Sequence, residues 1–324
     1  MHELVEELFK RKFSNQTLNE LSDSAIIKSL PLRDCDFCFT TDSYVVTPIF
    51  FPGGDIGKLA VCGTINDLAV VGAKPLYLSA GFIIEEGLEY KILEQVTQSM
   101  ADTARKEGVT IVTGDTKVVE KKGLDKLFIN TSGIGIKDKK LNFSTSSITP
   151  GDKIIINGPI AEHGLAVLTA RGKFDFQTKI ISDCAGLGGL IEKIISQESE
   201  GIKFMRDPTR GGVAATLNEI VKDKDFGINI FEDQIPLKEE ARALCEILGF
   251  DPLYIANEGK VVVVVSKKVS ETILELMQQH PLGKDSRIIG EVTRDSTGKV
   301  TMKTSPGGSR IIDMPVAEQL PRIC

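Results

Sequence analysis

A stretch of small residues with one proline and one glycine, STSSITPGDK (residues 144–153), divides the chain into two parts. In both parts, short apolar runs typical of strands alternate with segments that have the apolar spacing of helices. The order of elements is similar in the two parts, although no strict sequence repeat is present. This pattern predicts an α/β (α+β) protein with two domains, each a sheet covered by helices.

The predicted strands and helices fix the domain limits. Before the divide, strands are expected at residues 37–46, 74–84, 109–119 and 126–136, and helices at 55–73 and 89–107. After it, strands are expected at 153–159, 226–232, 259–266 and 286–292, and helices at 160–172, 186–196, 211–223, 237–249 and 270–280. We therefore predict domains at 1–147 and 148–297. From 298 to 324 the periodicity fades among glycines and prolines, which predicts a mobile tail.

Charge and hydropathy exclude several classes of protein. The 324 residues carry a net charge of -6 without a basic cluster, which argues against a nucleic-acid partner. No apolar run reaches the roughly 18 residues of a membrane span. The start, MHELVEELFKRKF, predicts a charged amphipathic helix and not a signal peptide. We therefore expect a cytoplasmic protein.

The cysteines do not form a disulfide or zinc pattern. There are six in a long chain without a signal sequence, and only three histidines accompany them. The C-x-x-C of Cys35 and Cys38 lies on a predicted strand, where residues three apart face opposite sides. The last cysteine, Cys324, ends the chain in PRIC. It is either incidental on a frayed end or a group that travels on the tail.

Four aspartates stand among apolar neighbours in the first half, each beside Thr, Ser or Asn. A carboxylate in such surroundings is costly to bury unless a positive charge compensates it. One such residue alone is more often a cap or a turn acid. Four together favour a shared hard cation, and oxygen-rich sites suit Mg²⁺ that also holds substrate phosphates. The four are Asp23, Asp42, Asp67 and Asp115.

Three further motifs are candidates for anion binding or catalysis. Lys117, near Asp115, is either a phosphate ligand or a solvent-facing lysine. RDPTRGG (206–212) places two arginines before a helix whose first N–H groups can hold an anion. In the alternative, the segment is a simple helix start that Asp207 or Thr209 caps. NEGK (257–260) places Glu258 in a turn before an apolar strand. Neither a P-loop nor a Rossmann glycine motif is present.

Taken together, these motifs resemble the HypE family of hydrogenase maturation proteins over essentially the whole chain. The resemblance is carried by TTDSYVVTPIFFPGGDIGKLAVCGTINDLAVVGAKP, VTGDTKVVE, RDPTRGGVA, NEGK and the terminal PRIC. That family belongs to a superfamily with aminoimidazole ribonucleotide (AIR) synthetase, selenophosphate synthetase and thiamine monophosphate kinase. The resemblance implies a two-domain PurM-like fold that binds ATP and Mg²⁺ across a homodimer interface, where strands of two subunits form a barrel.

The resemblance also implies a reaction and partners. A carbamoyltransferase, HypF, loads a carbamoyl group onto the terminal thiol, and ATP-dependent dehydration converts this S-carboxamide to a thiocyanate. The CN group then passes to iron on a HypC–HypD complex and becomes a cyanide ligand of [NiFe]-hydrogenase. Superfamily members begin with a glycine-rich segment that closes over the phosphates. This sequence starts at MHELVEELF, a departure that bears on ATP affinity and turnover but not on the fold.

The implied roles of the residues follow. Cys324 carries the cargo, Glu258 is the candidate base, Lys117 stabilises charge on the phosphoryl group, and His163 either transfers a proton, contacts nucleotide or is structural. The four aspartates hold Mg²⁺ and phosphates. Asn66 and Asn257 bind phosphate, orient Glu258 or cap a turn. The residues expected to contact the nucleotide are Asp42, Asn66, Asp67, Gly114, Asp115, Thr116, Arg206 and Asp207.

Three other functions are alternatives. A selenophosphate synthetase-like enzyme would use an N-terminal Cys or selenocysteine with a nearby Lys, and neither is found here. A non-enzymatic thiol carrier has no use for the acidic cluster. A redox protein using Cys35 and Cys38 would need a helix N-terminus near the thiols to lower their pKa.

Overall fold

The computed structural model describes residues 23–27, 34–172, 178–305, 307–316, 320 and 322–324. The predicted N-terminal helix at residues 1–13 lies outside the described residues. Fourteen strands are found in the described part: β1 Ala25–Ile27, β2 Cys35–Tyr44, β3 Phe50–Phe51, β4 Gly54–Asp55, β5 Ala73–Glu85, β6 Thr110–Val119, β7 Leu127–Asp138, β8 Lys153–Ile156, β9 Ile202–Arg206, β10 Gly227–Phe231, β11 Val262–Val265, β12 Arg287–Thr293, β13 Val300–Lys303 and β14 Ser309–Ile312.

The α-helices of the described part confirm the helical spacing seen in the sequence. They are α1 Ile56–Val70, α2 Tyr90–Lys106, α3 Glu162–Ala170, α4 Gly188–Gln197, α5 Gly212–Val221, α6 Glu239–Leu248 and α7 Ser270–Gln278. Short 3₁₀ turns lie at Thr145–Ser147, Glu232–Gln234, Pro252–Tyr254, Lys267–Val269 and Pro281–Gly283. None of the helices in the described part combines the length and apolarity needed to cross a bilayer.

The first half forms a five-stranded sheet in the order β1-β2-β7-β5-β6. Alternate residues of β2 and β7 are buried, because one face of the sheet packs against α1. Asp55 caps α1 by accepting hydrogen bonds from the amides of Gly57 and Lys58 at 2.7 and 3.1 Å. The opposite face keeps large side chains partly exposed, among them Phe39, Tyr77 and Ile83.

The second half forms a seven-stranded sheet in the order β14-β13-β10-β12-β8-β11-β9. Its face with Val262 and Val264 belongs to the main core, while Val263 and Val265 pack with α4 and α7 on the other side. Because both faces are covered, the strand is apolar at every position, as the run of five valines predicted. The predicted α/β class with helices on the sheets is confirmed.

The prediction of a mobile tail from residue 298 is wrong for most of its length. Strand β13 pairs parallel with β10, and β14 pairs antiparallel with β13. Val300, Met302 and Ile312 are buried in the core. The sequence obscured these strands because each has four residues and glycines and a proline separate them. Residue 323 is buried too, so the end of the chain is docked against the protein.

Candidate active site at the chain terminus

The last residues of the chain lie beside residues 45–47. The amide of Val45 donates to a terminal carboxylate oxygen of Cys324 at 3.2 Å, and that of Thr47 donates to the carbonyl of Arg322 at 3.3 Å. The guanidinium of Arg171 joins both segments, since it donates to the carbonyls of Thr47 at 2.9 Å and Arg322 at 2.8 Å. These bonds place the terminal cysteine inside the cleft between the two halves.

His163 anchors the same segment from the second domain. Its Nε2 donates to the carbonyl of Ile323 at 2.9 Å, so its Nδ1 accepts from the Ser182 hydroxyl at 2.8 Å. The ring is fully buried, and this burial lowers its pKa, which keeps the ring neutral. Phe51 packs edge-on against it with ring centroids 5.4 Å apart. In this conformation both nitrogens are occupied, so His163 positions the tail; its predicted role in proton transfer stays a prediction.

The thiol of Cys324 is surrounded by protein although the residue as a whole is partly exposed. Burial raises its pKa to about 12, and the negative charge of Glu258 adds to this effect. The guanidinium of Arg210, 3.9 Å from Sγ, acts in the opposite direction. The docked sulfur is therefore a neutral thiol and not a nucleophilic thiolate, which suits a group that carries cargo.

Glu258 presents a buried carboxyl group whose Oε1 has no hydrogen-bond partner among the described residues. Burial raises the pKa of this carboxyl well above its usual range, and the charges of Asp207, Asp42 and Asp183 raise it further. An unsatisfied buried carboxyl destabilises a fold, so its presence needs a functional explanation. The predicted catalytic base thus lies close enough to Cys324 for its charge to act on the thiol.

Three of the four predicted metal-binding aspartates lie near one another, and Asp207 joins them. Burial raises the pKa of Asp23, Asp42 and Asp67, and neighbouring acids contribute for Asp42 and Asp67. Burial and the charge of Asp23 raise the pKa of Asp207 to about 8. Each carboxylate disfavours ionisation of its neighbours, and the charges of Arg206 and Arg210 offset this effect only in part.

Protein contacts leave only part of this cluster compensated. Asp42 accepts from the Tyr44 hydroxyl at 2.8 Å, and Asp67 accepts from the Thr40 hydroxyl at 2.7 Å. Asp23 pairs with Arg206 at 2.8 Å. Within the described ranges, no group of three or more acidic, His or Cys side chains has the arrangement of a metal site. A cation held by protein side chains alone therefore has no site among these residues.

Asp115 and Lys117 lie apart from this cluster within one chain. Across the sheet, Asp42 is aligned with Thr131, Ala80 and Gly114, so the side chain of Asp42 and residue 114 share one face. Asp115 is the next residue on its strand, so its side chain points to the opposite face. The carboxylate of Asp115 pairs with Lys117 at 2.8 Å, and both side chains are about 70% exposed. Thr116 is on the same edge strand. Their predicted contacts with nucleotide stay predictions, and Asp115 does not join the other three aspartates in a single chain.

Asn66 and Asn257 use their amides on the backbone. Asn66 donates to the carbonyls of Ala185 at 3.1 Å and Glu258 at 3.5 Å, and accepts from the amide of Leu187 at 2.8 Å. Asn257 accepts from the amide of Ala161 at 2.8 Å. Of the three predicted roles, these contacts support orientation of the turn that carries Glu258.

The RDPTRGG segment also differs in one respect from its prediction. Arg206 is held by Asp23 and by Glu219, the latter at 3.1 Å. Helix α5 begins after Gly211, which is the N-cap with φ of 76° and no side-chain cap. The alternative that Asp207 or Thr209 caps the helix is therefore wrong. The first turn of this helix is buried, and Gly212 packs closely against the backbone of Leu253 and Ile255.

Sequence patterns did not reveal the segment of residues 182–184. Besides holding His163, Ser182 donates its amide to the carbonyl of Pro52 at 2.7 Å. Asp183 lies behind Glu258. In the predicted C-x-x-C, Cys38 is buried, and burial raises the pKa of its thiol to about 11. All six cysteines are unpaired thiols.

Comparisons with known proteins agree with this geometry. The AIR synthase related protein family matches through its N-terminal domain at residues 22–137 and its C-terminal domain at residues 149–303. The carbamoyl dehydratase HypE of Bradyrhizobium diazoefficiens is 46% identical over 324 residues, which is 100% of this chain and 93% of that protein. The chain belongs to the HypE family of AIR synthase related proteins. The expected resemblance is thereby confirmed.

Solved HypE structures have the same fold. The chain of a HypE–HypF complex matches with a TM-score of 0.90 and 50% identity over 96% of this chain and 99% of that chain. A hydrogenase maturation protein HypE in complex with ATP matches with a TM-score of 0.85 and 44% identity over 100% and 96% of the two chains. The predicted PurM-like two-domain architecture is confirmed.

Proposed function

We propose that this HypE-family protein is an ATP-dependent carbamoyl dehydratase whose substrate is the S-carbamoyl group on its own Cys324. The observation that carries the proposal is the shared position of two groups in the cleft. The terminal thiol is docked where a buried carboxyl with a free oxygen, Glu258, acts on it. The acidic cluster lies near the same carboxyl, since Asp207 and Asp42 raise its pKa.

The reaction converts the amide oxygen into a leaving group. The carboxamide oxygen bonds to the γ-phosphorus of ATP, and the bond to ADP breaks. The C–O bond then breaks, phosphate leaves with that oxygen, and the nitrogen loses its two protons as the C≡N bond forms. One proton ends on phosphate and one is released. Glu258, in its ionised form, accepts a proton from the carboxamide nitrogen, since burial and the neighbouring carboxylates raise its pKa and so strengthen it as a base.

ATP and Mg²⁺ are assigned to the acidic side of the cleft. Asp42, Asp67 and Asp207 are the carboxylates that fit a cation shared with phosphates, for their mutual repulsion is relieved by positive charge. When bound, Mg²⁺ offsets the charge that develops on the transferred phosphoryl group. Arg210 lies beside the docked thiol, where its guanidinium would orient anionic groups.

A homodimer would complete this site. The uncovered face of the first sheet carries an apolar row, since Phe39, Ile134 and Tyr77 are aligned across β2, β7 and β5. Phe39 and Tyr77 remain 39% and 48% exposed. A second copy of the chain would bury this row and bring Asp115 and Lys117, which lie on the same face, to the phosphates of an adjoining site.

Two partner interactions follow from the chemistry. The tail has to leave the cleft to receive its carbamoyl group, and the solved HypE–HypF complex supports HypF as that partner here. The thiocyanate can then donate its CN group to iron. We propose HypC–HypD as the complex that accepts this group and [NiFe]-hydrogenase as its destination. Unpaired cysteines favour a reducing compartment, which supports the cytoplasm.

Mass spectrometry of the C-terminal peptide tests this function. Carbamoylated protein given ATP and Mg²⁺ should lose the mass of one water at Cys324, and the Cys324→Ser variant should show no such loss. A related synthetase without this chemistry would keep its ATP-dependent activity in that variant. Retention of the hydrated carboxamide after ATP is consumed would refute the proposal.

A further inference from the structure

A buried ion pair lies directly behind the turn that carries Glu258. The ammonium of Lys260 is 3.0 Å from Oδ2 of Asp183, and the two side chains are 9% and 2% exposed. The carboxylate of Asp183 contacts the backbone of the turn, and the ammonium of Lys260 also lies 3.9 Å from the carboxylate of Glu162.

Asp183 holds the turn through its backbone. One carboxylate oxygen accepts from the amide of Glu258 at 3.2 Å, and the other accepts from the amide of Gly259 at 3.3 Å. A Cβ atom at residue 259 would lie 1.9 Å from the carbonyl oxygen of Asp183, so only glycine permits this approach. The two segments are therefore fixed against each other at the residue that carries the base.

The ion pair is better explained by its effect on the geometry of the turn than by a contribution to the stability of the fold. Removing two charges from water costs several kcal/mol per ion, and an apolar pair of the same size is often as stable. Lys260 neutralises the carboxylate that binds the two amides, which leaves that carboxylate ionised in a buried place. Ser182, the adjacent residue, holds His163 and through it the tail. One loop thus contacts the supports of both reacting groups.

We propose that Asp183 and Lys260 are positioning residues for the dehydration, which fix the carboxyl of Glu258 relative to the docked Cys324. The expected effect on the dehydration rate rests on the proposed function, whereas the expected effect on the backbone of the turn does not. A shift of the base by about 1 Å can reduce a rate by about 100-fold while ground-state binding of the co-substrate is retained.

The kinetic experiment uses a neutral, similarly sized pair, Asp183→Asn with Lys260→Met, so that no buried charge is left alone. We expect the single-turnover dehydration rate at saturating ATP to fall by about 10-fold or more, with half-saturating ATP changed by less than about twofold. Lys238→Met is the matched control, because it also removes a lysine beside Glu162. The ammonium of Lys238 is 2.6 Å from the carboxylate of Glu162, and that of Lys260 is 3.9 Å from it. It should retain the wild-type rate.

A double variant that dehydrates at the wild-type rate would overturn the proposal. So would parallel losses of rate and ATP binding, or an equal loss in Lys238→Met, because each indicates a general structural effect.

Amide hydrogen exchange separates this proposal from the proposed function. In the double variant the amides of Glu258 and Gly259 should exchange faster than in wild type, while Lys238→Met leaves them protected. This result is independent of whether the wild-type protein dehydrates its tail. Faster exchange without any wild-type dehydration would refute the proposed function alone, and unchanged exchange would refute the positioning role.

Discussion

Replacement of Arg171 by alanine should release the tail from the cleft. The variant loses the bond from the guanidinium to the carbonyl of Arg322 at 2.8 Å and its companion to Thr47 at 2.9 Å. A hydrogen bond from a charged donor contributes about 1.5–3 kcal/mol. Loss of only the bond to the tail therefore changes the ratio of undocked to docked tail by about 10-fold to 100-fold.

Alkylation of Cys324 by an uncharged maleimide measures this ratio. The docked thiol is buried and its pKa is about 12, so the maleimide does not react with it. Alkylation takes place in the undocked state, in which the thiol is exposed. The rate for Cys324, followed by mass spectrometry of the C-terminal peptide, should rise by about 10-fold or more in Arg171→Ala. The buried cysteines serve as internal references in the same digest.

Arg105→Ala is the control for general effects of removing an arginine. Its guanidinium pairs with Asp102 at 2.7 Å on the surface of α2, and its side chain is 73% exposed. This variant should react as wild type does. Equal alkylation rates in Arg171→Ala and wild type would show that these bonds do not hold the tail in place.

Three further changes test other parts of the structure. Gly53→Ala places a Cβ 2.8 Å from the backbone of Ser182 at φ of +95°, so chemical denaturation should show a loss of about 1–3 kcal/mol. Gly151→Ala, at φ of +100° with open space around it, reports the backbone strain alone, and an equal loss there would exclude the clash. The pKa of Asp207 is raised from 3.8 to about 8 in the folded protein, so the contribution of this carboxyl to the stability of the fold is fully present below pH 3.8. The contribution falls as the pH rises and is lost by pH 8. Asp207→Asn should remove a slope of up to about 1.4 kcal/mol per pH unit from the unfolding free energy in that range, and an unchanged slope would contradict the shift. Ile83→Asp on the uncovered sheet face should yield monomers in sedimentation velocity if the wild type is a dimer through this face, whereas an unchanged dimer would place the interface elsewhere.

The long periodic elements could be predicted from the sequence because local pattern and burial agree. Helix α1 and strand β11 have apolar neighbours on nearly every side, and both were predicted at the right place. Strands β1, β13 and β14 have three or four residues each, and β13 joins the sheet through β10, where Val300 is aligned with Ile228. Such strands depend on tertiary contacts that no local window contains.

The candidate site was predictable in its chemistry but not in its arrangement. Glu258 and Cys324 were recognised, because a carboxylate before an apolar strand and a terminal thiol in PRIC are unusual. Asp115 looked equivalent to Asp42, and only strand register separates the two onto opposite faces. Asp183 gave no signal, for its role arises from two backbone amides that lie 75 residues or more away in sequence.

Single-turnover dehydration by the Glu258→Gln variant tests most directly whether the buried carboxyl is the base. The amide has nearly the same shape as the carboxyl but cannot accept a proton from the carboxamide nitrogen. With carbamoylated Cys324 and saturating ATP and Mg²⁺, we expect thiocyanate to form about 100-fold to 10,000-fold more slowly than in wild type, with ATP affinity retained. Thiocyanate formation at the wild-type rate would contradict the account.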